Sequence, residues 1–456
     1  MLRPLIVEFS LLALLLAGCG GGRAPSAASP EGQVALAQLA NLKASPHPGL
    51  QAELALLIEE ESTPLALMEK PLHADNEASW PHSERAKNPP TARLAHIFPR
   101  INRNVLSHQV TAIYPAENKE NLMLPPGDLE RAKELLASSG LARKQFAQVQ
   151  AAVDGGLALP PAAGLLSELD FLGAVELGCQ LELLAAAVAL NQNQPRQAMA
   201  PLSTMLLSAR HLAAERQVTL RLAAGNLRRD ALRVVGAIAI HPQTDDATRE
   251  QLHQWIAAEL RAWPGDANAW LGDRANGLIA YELVRAGNFL SLLDAAEAEQ
   301  MEKRGVLAAT AKAAMAGVDE DQLFYLRAMR RMIEACDEGY HERRETLAEI
   351  RRALAEREDT AQFPIIAGKL LLTDFEQAHR KQAEDLAWCQ AWQLALAAAT
   401  GHEVSPPLTN PLTGGRYKLE VSAENIVVRG IDPAHDRPIL LPIQASSHAR
   451  RRMTTR

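Results

Sequence analysis

Residues 244–265, with the sequence TDDATREQLHQWIAAELRAWPG, hold the beginning, the apolar face and the end of a helix in one stretch. The polar residues at 244–246 favour a helix start, where side-chain oxygens accept hydrogen bonds from free backbone N–H groups. A Pro-Gly pair ends the pattern. The large apolar residues between them follow a period of 3.6 residues, at Leu252, Trp255, Ile256 and Leu260. The segment therefore predicts an amphipathic helix that packs against other helices.

Helical segments of the same kind lie on both sides and define a predicted helical body at 128–401. At its start, Asp128 is expected to cap a helix and Gly140 to end it at the C′ position. Residues 33–127 are expected to mix irregular structure with short helices, such as 91–97. The other predicted helices lie at 142–153, 162–189, 195–226, 227–240, 274–286, 290–304, 307–316, 320–339, 341–357 and 374–400.

The composition predicts the same fold class. The chain has 456 residues, of which 47% are hydrophobic and only 4% aromatic. Ala and Leu, which dominate the apolar set, are strong helix formers. We therefore expect an all-α fold of stacked helical hairpins. No tetratricopeptide spacing is present, so an irregular α-solenoid and a folded-over helical bundle remain open alternatives.

The pattern changes in the C-terminal tail, residues 402–456. Several Pro and Gly residues stop the helix, and apolar and charged residues then alternate over 416–421. A turn at 422–425 and a second apolar stretch at 426–428 follow. This arrangement predicts a small β-hairpin, which must pack on the helices because an isolated hairpin is marginally stable.

The first 18 residues have the layout of a secretory signal peptide, with an apolar run over 9–16 and small residues before the cleavage point. The motif Leu16-Ala17-Gly18-Cys19 resembles the lipobox of bacterial lipoproteins. The resemblance implies that Cys19 is lipidated and becomes the first residue of the mature chain, which would anchor it stably to a membrane. Residues 19–32 are rich in Gly, Ala, Pro and Ser and predict a flexible tether.

The same resemblance implies a bacterial cell-envelope location. Gly20 follows the lipidated residue, where enteric lipoproteins retained in the inner membrane carry Asp. We therefore expect the outer membrane, with the body facing the periplasm.

The body also resembles a group of uncharacterised bacterial proteins with a tetratricopeptide-like, Ala/Leu-rich helical core. The matching parts are residues 128–287 and the segment Asn410-Pro411-Leu412-Thr413-Gly414, where the group has Asp-Pro-x-Thr-Gly before a short hairpin. This tail is similar to the C-terminal part of secretion pseudopilins as well. The chain lacks their methylated N-terminal membrane helix, so the resemblance does not imply pilus assembly. It implies no activity.

One loop concentrates residues that are able to recognise a ligand. Residues 263–274 include Trp263, Asp266, Trp270, Asp273 and Arg274. Aromatic rings beside carboxylates bind sugars or short peptides, because the ring gives a flat apolar surface and the carboxylate accepts hydrogen bonds. The alternative is a helix connector, with the Trp rings in the core and Asp273 as an N-cap.

The sequence predicts no catalytic residue, metal site or cofactor. It has no second His one helical turn after His341, no phosphate-binding Gly-rich loop and no Gly-x-Ser-x-Gly motif. A net charge of −7 with interspersed signs is not typical of a nucleic-acid-binding protein.

Cys179, Cys336 and Cys389 are expected in the core, with a Cys336–Cys389 disulfide as an alternative.

These observations favour a lipid-anchored envelope protein that binds a protein or peptide partner, or serves as a scaffold, and does not bind nucleic acid. The alternatives are an envelope enzyme acting on peptidoglycan or glycans, whose acids meet only in the fold, and a purely structural spacer. A carboxylate pair in a deep polar cleft would favour the enzyme.

The predicted lipid anchor can be tested by removing Cys19. The substitution Cys19→Ser removes the thiol that receives the lipid, so the protein should move from the membrane fraction to the soluble fraction. Flotation of vesicles and intact mass spectrometry measure this. An unmodified sulfur in the wild type, or a serine variant that still floats with vesicles, would contradict the prediction.

Overall fold

The computed structural model describes residues 47–62, 90–114, 122–153, 157, 169–293, 295–358, 360, 363–435 and 437–443. The predicted signal peptide, the tether and Cys19 lie outside the described residues. Within them the fold is all-α with a small C-terminal sheet, as the sequence predicts.

The helices are, in chain order, α1 (Pro48–Ser62), α2 (Pro90–Ile97), α3 (Arg100–Ile113), α4 (Pro126–Ser138), α5 (Gly140–Ala152), α6 (Asp170–Asn191), α7 (Met199–Ala213), α8 (Val218–Ile240), α9 (Asp246–Arg261), α10 (Asp266–Arg285), α11 (Ala295–Lys303), α12 (Leu307–Ala316), α13 (Val318–Ala335), α14 (Tyr340–Ala355) and α15 (Phe375–Thr400). A 3-10 turn (Phe289–Leu292) precedes α11, and a π-helical turn (Ala367–Leu371) precedes α15. The strands are β1 (Lys418–Val421), β2 (Asn425–Arg429) and β3 (Ile439–Pro442).

The helix predicted from residues 244–265 is confirmed as α9. Asp245 is its N-cap, and the carboxylate accepts the backbone N–H of Thr248 at 2.9 Å. Leu252 and Ile256 are fully buried, while Trp255 and Leu260 pack beside the core. The helix packs mainly against α15, which follows more than 100 residues later in the chain.

Helix α6 is the centre of the N-terminal half. The helices α2, α3, α4, α5, α7 and α8 all pack against it. Its sequence predicts an amphipathic helix, but most of its residues from Phe171 to Leu190 are buried around the whole circumference. The difference arises because neighbours cover α6 on every side, and a helix that is apolar all round is stable only when it is enclosed.

The same helix has the length and hydropathy of a membrane span. Among the described residues one helix meets these criteria, Phe171–Asn191, and 72% of its apolar window is buried inside the protein. We interpret α6 as a core helix because its apolar surface already contacts protein.

A second apolar cluster lies in the C-terminal half and joins α1, α10, α13, α14 and the first turn of α15. Helix α1 contacts α13, and α8 contacts both α10 and α15. In a solenoid each repeat contacts only its neighbours. These long-range contacts therefore favour the helical bundle over the solenoid.

The predicted hairpin is confirmed and gains a third strand. The antiparallel order is β1-β2-β3, with Leu419 paired to Val428 and Ile426 paired to Leu441. Ile426 and Val428 are buried against α15. The sequence did not predict β3, because its four residues follow Pro438, end at Pro442 and give too short a pattern to detect.

Two helix-end predictions are wrong. Helix α4 begins at Pro126, so Asp128 lies inside its first turn and pairs with Arg131 instead of capping. Gly140 is the first residue of α5 and does not occupy a C′ position. The two helices meet at Ser139, whose hydroxyl donates to Leu135 O at 2.7 Å.

The predicted break between 226 and 227 is also misplaced. The chain instead breaks at residues 214–217, and α8 runs unbroken over Val218–Ile240. The start of α8 is set by a contact with another helix. The Asp273 carboxylate of α10 accepts a hydrogen bond from the Val218 N–H at 3.3 Å and so caps the first turn of α8.

The three described cysteines are free thiols, so the Cys336–Cys389 disulfide is not formed. Cys179 and Cys389 are buried in the core, as expected, and burial raises the pKa of Cys179 to about 12. Cys336 is half-buried, and its Sγ donates to Met332 O at 3.2 Å.

A close backbone contact makes Gly272 a sensitive position. A Cβ added there would lie 1.5 Å from the backbone oxygen of Arg216, whereas one added at Gly140 would meet nothing within 4 Å. Gly272→Ala should therefore lower the free energy of unfolding by about 1–3 kcal/mol through overpacking. Gly140→Ala should leave it unchanged or raise it by up to about 1 kcal/mol, because alanine favours helix. Urea denaturation compares the two, and equal stabilities would contradict the contact.

Candidate functional site

The five residues predicted to bind a ligand lie on or next to α10, but they do not line one cleft. Trp270 is buried, with 4% of its surface exposed, and stacks on the His379 ring at 4.3 Å between ring centroids. Its Nε1–H donates to Gln382 Oε1 at 3.3 Å. This ring is a packing element between α10 and α15.

Trp263 and Asp266 both contact buried arginines. The guanidinium groups of Arg221 and Arg228 lie 4.8 and 4.4 Å from the centroid of the Trp263 ring, within cation–π distance. The Asp266 carboxylate accepts a hydrogen bond from Arg343 at 2.9 Å and lies 3.6 Å from Arg221. These two residues join α8 and α14 to the start of α10.

Asp273 and Arg274 face different neighbours. Asp273 caps α8, and the prediction that it caps its own helix is wrong because α10 already begins at Asp266. Burial raises the pKa of Asp273 to about 7. Arg274 is buried, with 3% of its surface exposed. Ligand binding by this set of five residues stays a prediction, while the two Trp rings match the alternative of a packed helix connector.

The surroundings of these residues form a buried charge network. Arg228 of α8 is paired with Asp385 of α15 and lies 3.7 Å from Glu259 of α9. Glu259 is also paired with Arg210 of α7. Arg228, Glu259 and Asp385 each expose less than a tenth of their surface. Together with Arg221, Asp266 and Arg343, they connect five helices, α8, α9, α10, α14 and α15.

The pKa shifts follow from this burial. Burial opposes the charge of Arg228, but the carboxylates of Asp385 and Glu259 outweigh it and raise the pKa. Burial lowers the pKa of Arg221, because its effect is larger than that of the nearby carboxylates of Asp385 and Asp266. Burial and the charge of Arg343 lower the pKa of His379 to about 3, so this ring is neutral at physiological pH. The network is therefore a structural junction of fixed charges.

The candidate binding site lies at the surface, where the end of α15 meets the sheet. A cleft of about 460 Å³ opens there, within the size range of small-molecule and peptide sites. Its walls come from the last turns of α15, the segment 401–408 and strand β1. The lining is mostly apolar and includes Leu394, Ala397, Ala398, Val404, Leu408, Leu419 and Val421.

Strand β1 forms one wall of this cleft with apolar side chains that no helix covers. It is one of the two edge strands of the sheet and pairs with β2. Paired residues of antiparallel strands point to the same face, so Leu419 and Val421 share the inner face of Val428 and Ile426. The β2 residues are covered by α15, but Leu419 and Val421 remain 43% and 51% exposed. The inner face of the sheet thus continues beyond its helix cover into the cleft.

Polar groups at the cleft are few. His402, Glu403 and Arg416 line it, and the Tyr417 hydroxyl donates to Gln390 Oε1 at 2.8 Å. The sequence predicts strand β1 but not this site. Alternation indicates which residues share a face, but it does not show that α15 ends before it covers the last of them.

The comparisons with known proteins add no relative. No protein-family model matches the chain, and no curated protein and no solved structure matches it. The inference of function therefore depends on the residues of this chain.

The charge network predicts that two charge-removing variants lower the free energy of unfolding by different amounts. Asp385→Asn leaves Arg228 buried without its main partner, so the free energy of unfolding should fall by about 3–5 kcal/mol. Glu349→Gln breaks the exposed pair with Arg331, whose side chains are both 44% exposed, and should cost at most about 1 kcal/mol. Urea denaturation of both variants measures the difference. A loss for Asp385→Asn no larger than that for Glu349→Gln would contradict the role of the network.

Proposed function

We propose that this chain is a lipid-anchored protein of the bacterial cell envelope that binds an extended segment of a partner protein in the cleft beside β1. The tether would hold the helical body off the membrane surface. The body would then present the cleft in the periplasm. This proposal depends on the lipobox resemblance for location and on the cleft for activity.

The observation that carries the binding function is the edge strand with an uncovered apolar inner face. An edge strand presents a row of backbone N–H and C=O groups to its open side, and an added strand satisfies them. Leu419 and Val421 continue the apolar face of the sheet into the cleft. A partner strand beside β1 would therefore gain both backbone hydrogen bonds and apolar contacts.

The chemistry of the cleft favours an extended peptide with alternating apolar side chains. In a strand, alternate side chains point to the same face. The side chains of the added strand that point inward would contact Leu394, Ala397 and Ala398 at the end of α15. The side chains that point outward would lie beside Lys418 and Glu420, which remain in water. Specificity would come from the inward positions.

The lining also favours binding over glycan hydrolysis. Glycoside hydrolysis commonly uses two carboxyl groups on either side of the bond that is cut. Among the described residues that line this cleft, Glu403 is the one carboxylate. The cleft is also mostly apolar, which suits a peptide better than a sugar.

Site-specific photo-crosslinking tests the proposal. A photoreactive amino acid is placed at Leu419 in the full chain, in cells that make the protein, and the crosslinked species is identified by mass spectrometry. We expect an adduct with an envelope protein from position 419. Leu440 is the matched control, because it is 57% exposed on the neighbouring outer face of β3 and should give no such adduct.

A second test introduces a charge into the cleft. Leu419→Asp should abolish an adduct formed from a photoreactive residue at Val421, because a carboxylate does not enter an apolar contact without cost. Leu440→Asp should leave it intact. The proposal fails if position 419 gives no adduct, gives one only with residues 444–456 of the same chain, or reacts with the same partners as position 440.

A further inference from the structure

Three potential metal ligands meet at the surface between α9 and the end of α15. Glu250 and His253 are three residues apart on α9, so they lie on the same face of the helix. His402 follows Gly401, the C-cap of α15, and comes from a position 152 residues after Glu250. One ligand atom from each residue lies within 4.8 Å of the other two.

The contacts within this group are close. His402 Nε2 lies 2.7 Å from Glu250 Oε2. The rings of His253 and His402 are stacked, with 4.8 Å between centroids and 15° between planes. The other oxygen of Glu250 accepts a hydrogen bond from Gln254 Nε2 at 2.9 Å. That bond orients the carboxylate, as hydrogen bonds from neighbouring residues orient metal ligands.

One nitrogen of this group is unused. His253 Nδ1 is inaccessible to solvent and has no hydrogen-bond partner among the described residues. A buried polar atom without a partner is costly. The ring is therefore not fixed by a hydrogen bond at that nitrogen, in contrast to His402, whose Nε2 contacts Glu250.

We infer that Glu250, His253 and His402 form a binding site for a zinc ion. Two imidazoles and one carboxylate are a ligand set that zinc uses, and they leave a fourth position for water or a substrate group. The resulting site would tie α9 to the segment that follows α15. His402 also lines the cleft beside β1, so the metal would fix one wall of that cleft.

The geometry requires two adjustments. Ligand atoms about 2.0–2.2 Å from a tetrahedral zinc lie roughly 3.3 Å apart, so the 2.7 Å contact between His402 Nε2 and Glu250 Oε2 must open, while separations approaching 4.8 Å must close. The two stacked ring planes must also turn toward a common point. His402 has room to turn, because its side chain is 48% exposed and it follows a glycine at φ 76°.

Zinc titration of the purified full chain, stripped of metal with a chelator, tests the site. Competition with a chromophoric chelator measures the affinity for zinc alone. We expect one zinc per chain. His253→Ala and His402→Ala should each weaken binding at least tenfold, and Glu250→Gln should weaken it in the same direction. Zinc should also raise the unfolding temperature of the wild type but not that of His402→Ala.

His435→Ala is the matched control. His435 forms a comparable histidine–carboxylate pair with Asp432 at 2.9 Å, but among the described residues no third ligand accompanies it. Its loss should leave zinc affinity unchanged.

If His253→Ala does not fold, His402→Ala decides the result, because that side chain is exposed. Equal zinc affinity in the wild type, His402→Ala and Glu250→Gln, or no binding in the wild type, would overturn the inference. Failure of the photo-crosslinks would leave it standing, since zinc affinity is measured without a partner.

Discussion

The buried charge of Arg228 is the constraint on which the arrangement of helices depends. Its guanidinium is 1% exposed and needs carboxylates from two other helices, Asp385 of α15 and Glu259 of α9. Removing charges from water costs several kcal/mol each, so the partners must arrive together and in good geometry. The Asp266 carboxylate likewise pairs with Arg221 of α8 and Arg343 of α14. The helices are thereby fixed relative to one another by pairs that tolerate little displacement.

This junction explains why the chain forms a bundle. Its charge pairs join helices of two apolar clusters, one around α6 and one around α13. Helix α15 crosses between them, with Phe375 in the second cluster and Leu396 in the first. Apolar contacts alone are non-directional and would allow the halves to slide or rotate. Charge pairs and the stacked Trp270–His379 rings supply the directional contacts that set one arrangement.

The surface features that suggest function lie at the far end of the same helix. Where α15 ends, the sheet inner face loses its cover and the cleft begins, and His402 follows the C-cap Gly401. A rigid bundle therefore carries the irregular segment 401–408, whose side chains face a cleft on one side and α9 on the other. Binding residues commonly lie on such connecting segments held by a rigid scaffold.

The sequence by itself determined the all-α class, most helix positions, the capped helix α9 and the presence of a C-terminal hairpin. These follow from local patterns: helical period, caps and breakers act over a few residues. Only the tertiary structure decided between bundle and solenoid, placed Trp270 in the interior and moved the helix break to the residues before Val218. It also brought Glu250, His253 and His402 together. Each of these results depends on contacts between residues far apart in the chain, and spacing along one sequence carries no information about which distant side chains meet.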